Sequence, residues 1–242
     1  MSHGLATDLT MWDGLAAVLA GRWRVLRYDA RGHGRTPSTP GDYTLEQLGA
    51  DVIGLLDALG IARTHFVGLS MGGMVGMGLG LNHPGRLLSL AVCDARAVAP
   101  PDYRAAWTDR AAKVRAEGME AIVEPTLSRW FTPAFGRHDP SAREAVRRMI
   151  RRTSVEGYAG CAAALRGLDY LHRLGDLRLP VLFLGGAEDQ GAPVEAMRAM
   201  HHATPGSRHV VIPNAGHLAN LEQPEAFHAA VVDFLVACED KH

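Results

Sequence analysis

The sequence predicts an α/β fold: a mostly parallel central sheet with helices on both faces and a helical segment inserted between two strands. Three observations predict it. Short apolar runs alternate with helix-length patterns, which argues for parallel strands joined by crossover helices. One run, Phe66-Val67-Gly68-Leu69, breaks into Gly68-Leu69-Ser70-Met71-Gly72. The stretch from about Val98 to Pro180 carries several helical patterns and no evident strand. At 242 residues the chain suits one large domain with an inserted lid, and it can bury a substantial core.

Taken in order, the expected strands are Arg24–Tyr28, His65–Leu69, Leu88–Cys93, Val181–Gly185 and Arg208–Ile212. Expected helices cover Trp12–Ala20, Thr44–Leu59, Met71–Asn82, Pro193–His202 and Gln223–Cys238. Thr44 followed by Gln47 resembles a capping box, and Gly60 supplies a C-terminal stop. Residues 1–97 and 181–242 form the expected core, and residues 98–180 the expected lid, with breaks at Pro125, Pro133 and Pro140. The lid holds 14 Lys/Arg against 10 Asp/Glu, a net +4, whereas the remainder holds 11 against 16, a net -5. Such an asymmetry marks either a solvated face or a lid turned toward an anionic substrate.

Composition excludes several classes. A net charge of -1 gives no nucleic-acid footprint. Cys93, Cys161 and Cys238 are far apart and odd in number, which fits buried thiols in a reducing cytoplasm better than a disulfide framework or a zinc site. No signal peptide is expected from the opening residues. Thr64–Gly85 lacks Asp, Glu, Lys and Arg, but its seven glycines and its His65, Ser70, Asn82 and His83 suit a buried strand and helix better than a membrane span.

In a strand–turn–helix context, Gly68-Leu69-Ser70-Met71-Gly72 is a tight turn that lifts a serine clear of a sheet edge. Side chains at Gly68 and Gly72 would collide across that turn. A serine hydroxyl is a weak nucleophile until a base takes its proton, and the base needs an acid to orient it. Asp189 follows the apolar run Val181–Leu184 and is the expected acid, with Asp94, after an earlier strand, as the alternative. Among twelve histidines, His217 follows Val210–Ile212 in Pro213-Asn214-Ala215-Gly216-His217 and is the expected base. His201, His202, His209 and His228 read as surface or helix residues, and no spacing supplies a metal site. The developing oxyanion needs two backbone N–H donors. Met71, directly after the serine, supplies one; Leu5, in the His-Gly loop Ser2-His3-Gly4-Leu5, supplies the other.

These segments together resemble the α/β-hydrolase superfamily, and within it the 3-oxoadipate enol-lactonases. The resemblance runs through Thr7-Asp8-Leu9-Thr10-Met11-Trp12-Asp13, Arg27-Tyr28-Asp29-Ala30-Arg31-Gly32-His33-Gly34-Arg35 and Gly68-Leu69-Ser70-Met71-Gly72-Gly73-Met74. The lid segments Arg129-Trp130-Phe131-Thr132-Pro133 and Glu156-Gly157-Tyr158-Ala159-Gly160-Cys161 are more discriminating, and Ala215-Gly216-His217-Leu218-Ala219-Asn220-Leu221-Glu222-Gln223-Pro224 closes the match. The resemblance implies hydrolysis of the ring ester of 3-oxoadipate enol-lactone, a small anionic lactone, to 3-oxoadipate by Ser70, His217 and Asp189, with no metal or organic cofactor; composition adds that no nucleic-acid or membrane partner is expected. The resemblance implies Trp130 as a pocket wall, although a tryptophan there also suits plain core. It leaves Arg129 and Arg137 as alternative carboxylate holders.

Two further readings stay open on the sequence: a carboxylesterase of another small ester, and a non-catalytic hydrolase-fold binding protein. One departure from the resemblance is notable. Only Met1 and Ser2 precede the His-Gly loop, where related hydrolases carry two or three strands. An unpaired interior edge and a loosened Leu5 loop are therefore expected, with lower stability and activity than in a longer relative.

Overall fold

The computed structural model describes residues 1–239, with side chains described for all of them except residues 136–138. Four parallel strands, β1 (Thr64–Leu69), β2 (Leu87–Cys93), β3 (Val181–Gly186) and β4 (Arg208–Ile212), form a sheet in the order β1-β2-β3-β4. Their registers align Leu69 with Cys93 and Cys93 with Leu184, so the carboxyl ends of the strands share one edge. Three strands are buried almost throughout and read as continuous apolar runs, as parallel strands covered on both faces do. Helices α2 (Leu45–Ala58), α3 (Met71–Asn82) and α9 (Val194–Ala203) lie on one face. On the other lie α1 (Asp13–Leu19) and α11 (Pro224–Glu239), the latter preceded by the short α10 (Ala219–Glu222).

Local signals explain the boundaries. Thr44 caps α2 by accepting from the Gln47 N–H, 3.1 Å away. At its other end Gly60 takes φ 64°, the Gly60 N–H donates to Asp57 O and the Ile61 N–H to Leu56 O, a Schellman stop. Helix α3 is lined with glycines because it lies close against the sheet. A Cβ on Gly76 would come within 2.7 Å of Leu90 and 2.9 Å of Phe66.

Between β2 and β3 the chain forms α4 (Pro101–Glu117), α5 (Val123–Trp130), α6 (Pro133–His138), α7 (Pro140–Arg152) and α8 (Val155–Arg166). At the base of this segment the Ala99 N–H donates to Leu168 O and the Tyr170 N–H to Ala97 O, so its entry and exit are stitched together. Pro133 and Pro140 open helices at the first position, where no N–H is needed. Pro125 corrects an expectation: it breaks nothing, because it sits in the first turn of α5, where the N–H has no helical acceptor. The inserted segment meets the core backbone to backbone. A Cβ on Gly157 would lie 2.4 Å from Gly32 Cα, and the Ser154 N–H donates to Gly32 O at 3.0 Å.

Arg24–Tyr28 is a second correction. The segment forms no strand: among the described residues no strand pairs with it, and toward β1 it contacts Met1 and Ser2. The Met1 amine donates to Leu26 O at 2.6 Å, the Ser2 N–H donates to Val67 O at 2.9 Å, and the Leu69 N–H donates to Ser2 O at 3.1 Å. Beyond that single rung a groove of about 630 Å³ opens between Arg24–Tyr28 and Thr64–Val67, floored by Val52, Leu56 and Leu235. The Leu5 loop is nonetheless fastened, contrary to expectation. The Ala30 N–H donates to His3 Nε2 at 2.9 Å, and the Ala6 N–H donates to His33 Nε2 at 3.0 Å, so the two buried rings hold each other's loops.

Cys93, Cys161 and Cys238 are buried thiols with no disulfide among them. No helix among the described residues is long and apolar enough to cross a membrane.

Candidate active site

The carboxyl edge of the sheet positions every group of the site, as expected for open parallel sheets, where ligands bind beyond the strand ends. Ser70 follows β1 with φ 54° and ψ -116°, a strained left-handed conformation for a residue with a side chain. The turn is possible because its flanks lack side chains. A Cβ on Gly68 would meet Gly72 O at 2.2 Å, and one on Gly72 would meet Ser2 O at 2.2 Å. The Ser70 N–H donates to Cys93 O at 2.8 Å, which fixes the turn to the neighbouring strand.

His217 Nε2 lies 3.0 Å from Ser70 Oγ, and His217 Nδ1 lies 2.8 Å from Asp189 Oδ2. Both partners are buried. Asp189 is oriented by the Gly191 N–H, which donates to Oδ1 at 2.6 Å. The loops bearing acid and base press together: a Cβ on Gly186 would meet Gly216 O at 2.2 Å and Ala215 O at 2.4 Å. With Asp189 accepting at Nδ1, Nε2 is free to take the serine proton, the arrangement a general base requires.

Asp94, the alternative acid, does not reach His217. Its Oδ1 accepts from the Gly186 N–H at 2.8 Å, and its Oδ2 is buried with no protein partner. Burial first, then the charge of Asp189, holds the Asp94 carboxyl well above the usual carboxylate range. Glu188 is exposed and turned away. His202 is exposed, and His201, His209 and His228 are half-buried away from the pocket.

A pocket of about 200 Å³ opens over Ser70 and His217, walled by Leu5, Met74, Tyr103, Trp107 and Trp130 among others. Gly4 packs on the serine, since a Cβ there would lie 3.4 Å from Ser70 Cβ. Leu5 lines the pocket, and Met71 is the first residue of α3, whose opening N–H groups have no helical acceptor. Both residues expected to supply oxyanion donors therefore lie beside Ser70. Trp130 is both wall and anchor. Its ring is 5.8 Å from the His217 ring, and its carbonyl accepts from the His217 N–H at 2.8 Å. Arg129 lines the pocket. Arg137, its sequence alternative, lies outside the described side chains.

Sequence reasoning missed Glu222. This buried carboxylate accepts from the Gly216 N–H at 2.8 Å, from the Thr132 N–H at 3.1 Å and from Thr132 Oγ1 at 2.7 Å. Burial, the largest effect, pushes its carboxyl up despite these bonds. It ties the residue before His217 to the residue two after Trp130. The signal was its place in Gly216-His217…Glu222-Gln223-Pro224, but nothing local shows which way it points. Glu222→Ala should lower kcat about 10- to 100-fold with KM changed little, because His217 loses its register to Ser70. A fall in Tm with kcat unchanged would show a purely structural tie.

Among the described residues no group of three His, Cys, Asp or Glu side chains converges as a metal site.

The alpha/beta hydrolase fold pattern matches residues 1–224, so the chain belongs to that family. It is a hydrolase of the α/β-hydrolase kind. Among its relatives, 3-oxoadipate enol-lactonase 2 of Acinetobacter baylyi is 37% identical over 231 residues, covering 95% of this chain and 85% of that protein. A Caulobacter sp. (strain K31) protein, provisionally named carbamate hydrolase RutD, is 33% identical over 97% of this chain and 89% of its own length. The crystal structure of the enol-lactonase from Burkholderia xenovorans LB400 superposes with a TM-score of 0.94 at 39% identity, covering 97% of this chain and 89% of that one.

Proposed function

We propose that this protein opens the ring ester of 3-oxoadipate enol-lactone to give 3-oxoadipate. The observation that carries the reaction type is the buried hydrogen-bonded relay from Ser70 Oγ through His217 to Asp189 at the floor of the pocket. The substrate reading is supported by the two relatives that bear the enol-lactonase name.

In this reading Ser70 Oγ attacks the lactone carbonyl while His217 Nε2 takes its proton, and Asp189 stabilises the imidazolium. The carbonyl oxygen becomes an oxyanion held by the Met71 and Leu5 N–H groups; a donor of this kind is worth about 2.7–4 kcal/mol in a serine hydrolase. Collapse of the tetrahedral intermediate breaks the ring C–O bond. The leaving enolate takes the proton from His217 and tautomerises to the ketone. Water, deprotonated by His217, attacks the acyl ester, and Ser70 is released with its proton restored. Every step uses side chains and backbone of this chain and water. The buried thiols fit a cytoplasmic setting.

The deciding experiment is turnover of the enol-lactone beside simple aryl esters and a carbamate. A kcat/KM for the lactone at least tenfold above the others is expected. Faster cleavage of aryl esters would favour the carboxylesterase reading. Faster carbamate cleavage would favour the activity named for the Caulobacter relative. No turnover of any of them would favour a non-catalytic binding protein.

A further inference from the structure

Several of the inserted segment's arginines are paired on its outer surface, within the segment or with Asp42 of the core. Arg143 and Arg147 pair with Glu124, Arg151 pairs with Glu120, Arg115 approaches Asp42 and Glu156, and Arg166 pairs with Asp42. The pocket is different. Arg96, Arg110 and Arg129 all line it beside Ser70. Arg96 is engaged, with its Nε donating to Gly191 O at 3.0 Å and its guanidinium 4.4 Å from the Tyr103 ring. Arg110, from the middle of α4, is steadied by the Trp107 ring at 4.6 Å and has no carboxylate partner among the described residues. Arg129, in the last turn of α5, has none either.

Two unpaired guanidiniums in one half-buried cleft repel each other, and burial followed by the charge of Arg110 lowers Arg129 to about 10. Such a pair is costly in the empty protein and is offset when an anion enters. A carboxylate matches the planar fork of arginine donors. The acidic groups of the pocket do not cancel this field. Asp94 is buried and turned to the Gly186 N–H, Asp189 is committed to His217, and Asp102 is exposed on α4.

We propose that Arg110 and Arg129 form a two-guanidinium clamp that selects esters and lactones bearing a free carboxylate and sets their reacting carbonyl on Ser70. The clamp rests on the reading of Ser70 as the nucleophile, but it makes a separate claim about charge. It also goes beyond that reading in assigning Arg110, which no sequence motif marked.

The test compares 4-nitrophenyl hydrogen glutarate with its methyl-capped, uncharged counterpart, so that only the distal charge differs. The unmodified protein should prefer the charged ester by at least about tenfold in kcat/KM, and that preference should shrink in high salt. Arg129→Met and Arg110→Met should each cut the charged-to-neutral ratio about tenfold or more, as loss of a hydrogen bond to a charged group does. Arg129→Lys should restore part of it. Because the readout is a ratio within one protein sample, partial unfolding does not imitate it. A ratio near one in the unmodified protein, or an unchanged ratio in both Met variants, overturns the clamp.

Glutarate binding to Ser70→Ala protein by calorimetry tests the clamp without turnover. Binding should be lost in either arginine variant; equal binding in all of them overturns it. Lactone turnover with no charge preference sinks the clamp alone. Glutarate binding without any turnover upholds only the carboxylate site at Arg110 and Arg129 and sinks both the hydrolase reading and the placing of a carbonyl on Ser70.

Discussion

Ser70→Ala is expected to lower kcat by about 10⁴- to 10⁶-fold, the range seen when the nucleophile of a serine hydrolase triad is removed. The size follows from the geometry. The Ser70 hydroxyl is hydrogen-bonded to His217, and among the described residues no second hydroxyl or thiol lines the pocket except the Tyr103 phenol. Burial pushes that phenol above its ordinary range, so it is a poor nucleophile. Residual activity reflects the oxyanion donors and substrate positioning alone. Asp189→Ala should cost somewhat less, about 10⁴-fold, because His217 keeps its backbone anchor to Trp130 O. The measurement is single-turnover kinetics on the preferred ester, with circular dichroism to show that the fold is kept. Turnover above about 1% in Ser70→Ala, in place of the loss expected for a nucleophile, would reject the nucleophile assignment.

Acid should unfasten the oxyanion loop. His33 Nε2 accepts from the Ala6 N–H, so the ring can serve only while neutral, with its proton on Nδ1 facing Arg31 O. Burial, reinforced by His3, lowers His33 from 6.5 to about 3, and burial lowers His3 in the same direction. The unfolded chain binds this proton more readily than the folded protein. The stabilisation is therefore complete above pH 6.5 and drains away as pH falls toward 3. At about 1.36 kcal/mol per pH unit, His33 contributes roughly 2.5–3 kcal/mol of loss by pH 4.5. That is a large share of the roughly 5–15 kcal/mol that holds a domain together. Urea unfolding of the protein and of His33→Gln at pH 7 and pH 4.5 separates this proton from the carboxylates that titrate beside it. The variant should lose less stability over that interval, although it starts lower. Equal losses in both proteins would show that the ring does not titrate with folding. Activity should fall in step, because Ala6 adjoins Leu5.

Much of this site is legible in the amino-acid sequence because its chemistry demands particular residues at particular topological points. A serine between two glycines after an apolar run, an acid after a later run and a histidine after the last one can be read from order alone, since parallel strands deliver their loops to one edge. The close pairs are less visible. Gly32 and Gly157 stand in motifs far apart in the chain, and only the folded chain shows their backbone contact, which, with the positive φ of Gly32, explains why neither carries a side chain. Glu222 looks like part of a closing motif, yet two of its three donors come from Thr132 in the inserted segment. The inserted segment's charge points to an anion in bulk, whereas the folded chain places several of its arginines in surface ion pairs and sets Arg110 and Arg129 at the pocket. Arg24–Tyr28 fails in the other direction. Its apolar pattern is that of a strand, but a strand exists only with a hydrogen-bonded neighbour, and pattern does not report one.

Periodic and local features follow from the order of residues: the helix caps, the four paired strands, the strained serine turn and the succession of Ser70, Asp189 and His217. These depend on residues within a few positions of one another, or on strand ends that a parallel sheet must align. Packing in three dimensions supplied the rest: the reciprocal grip of His3 and His33, the Glu222 tie, the buried Asp94 and the meeting of Arg110 with Arg129 in the pocket. Each of these depends on how deeply a polar group is buried and which distant partner meets it there. Burial and partnership are properties of the packed chain, and no spacing along the sequence encodes them.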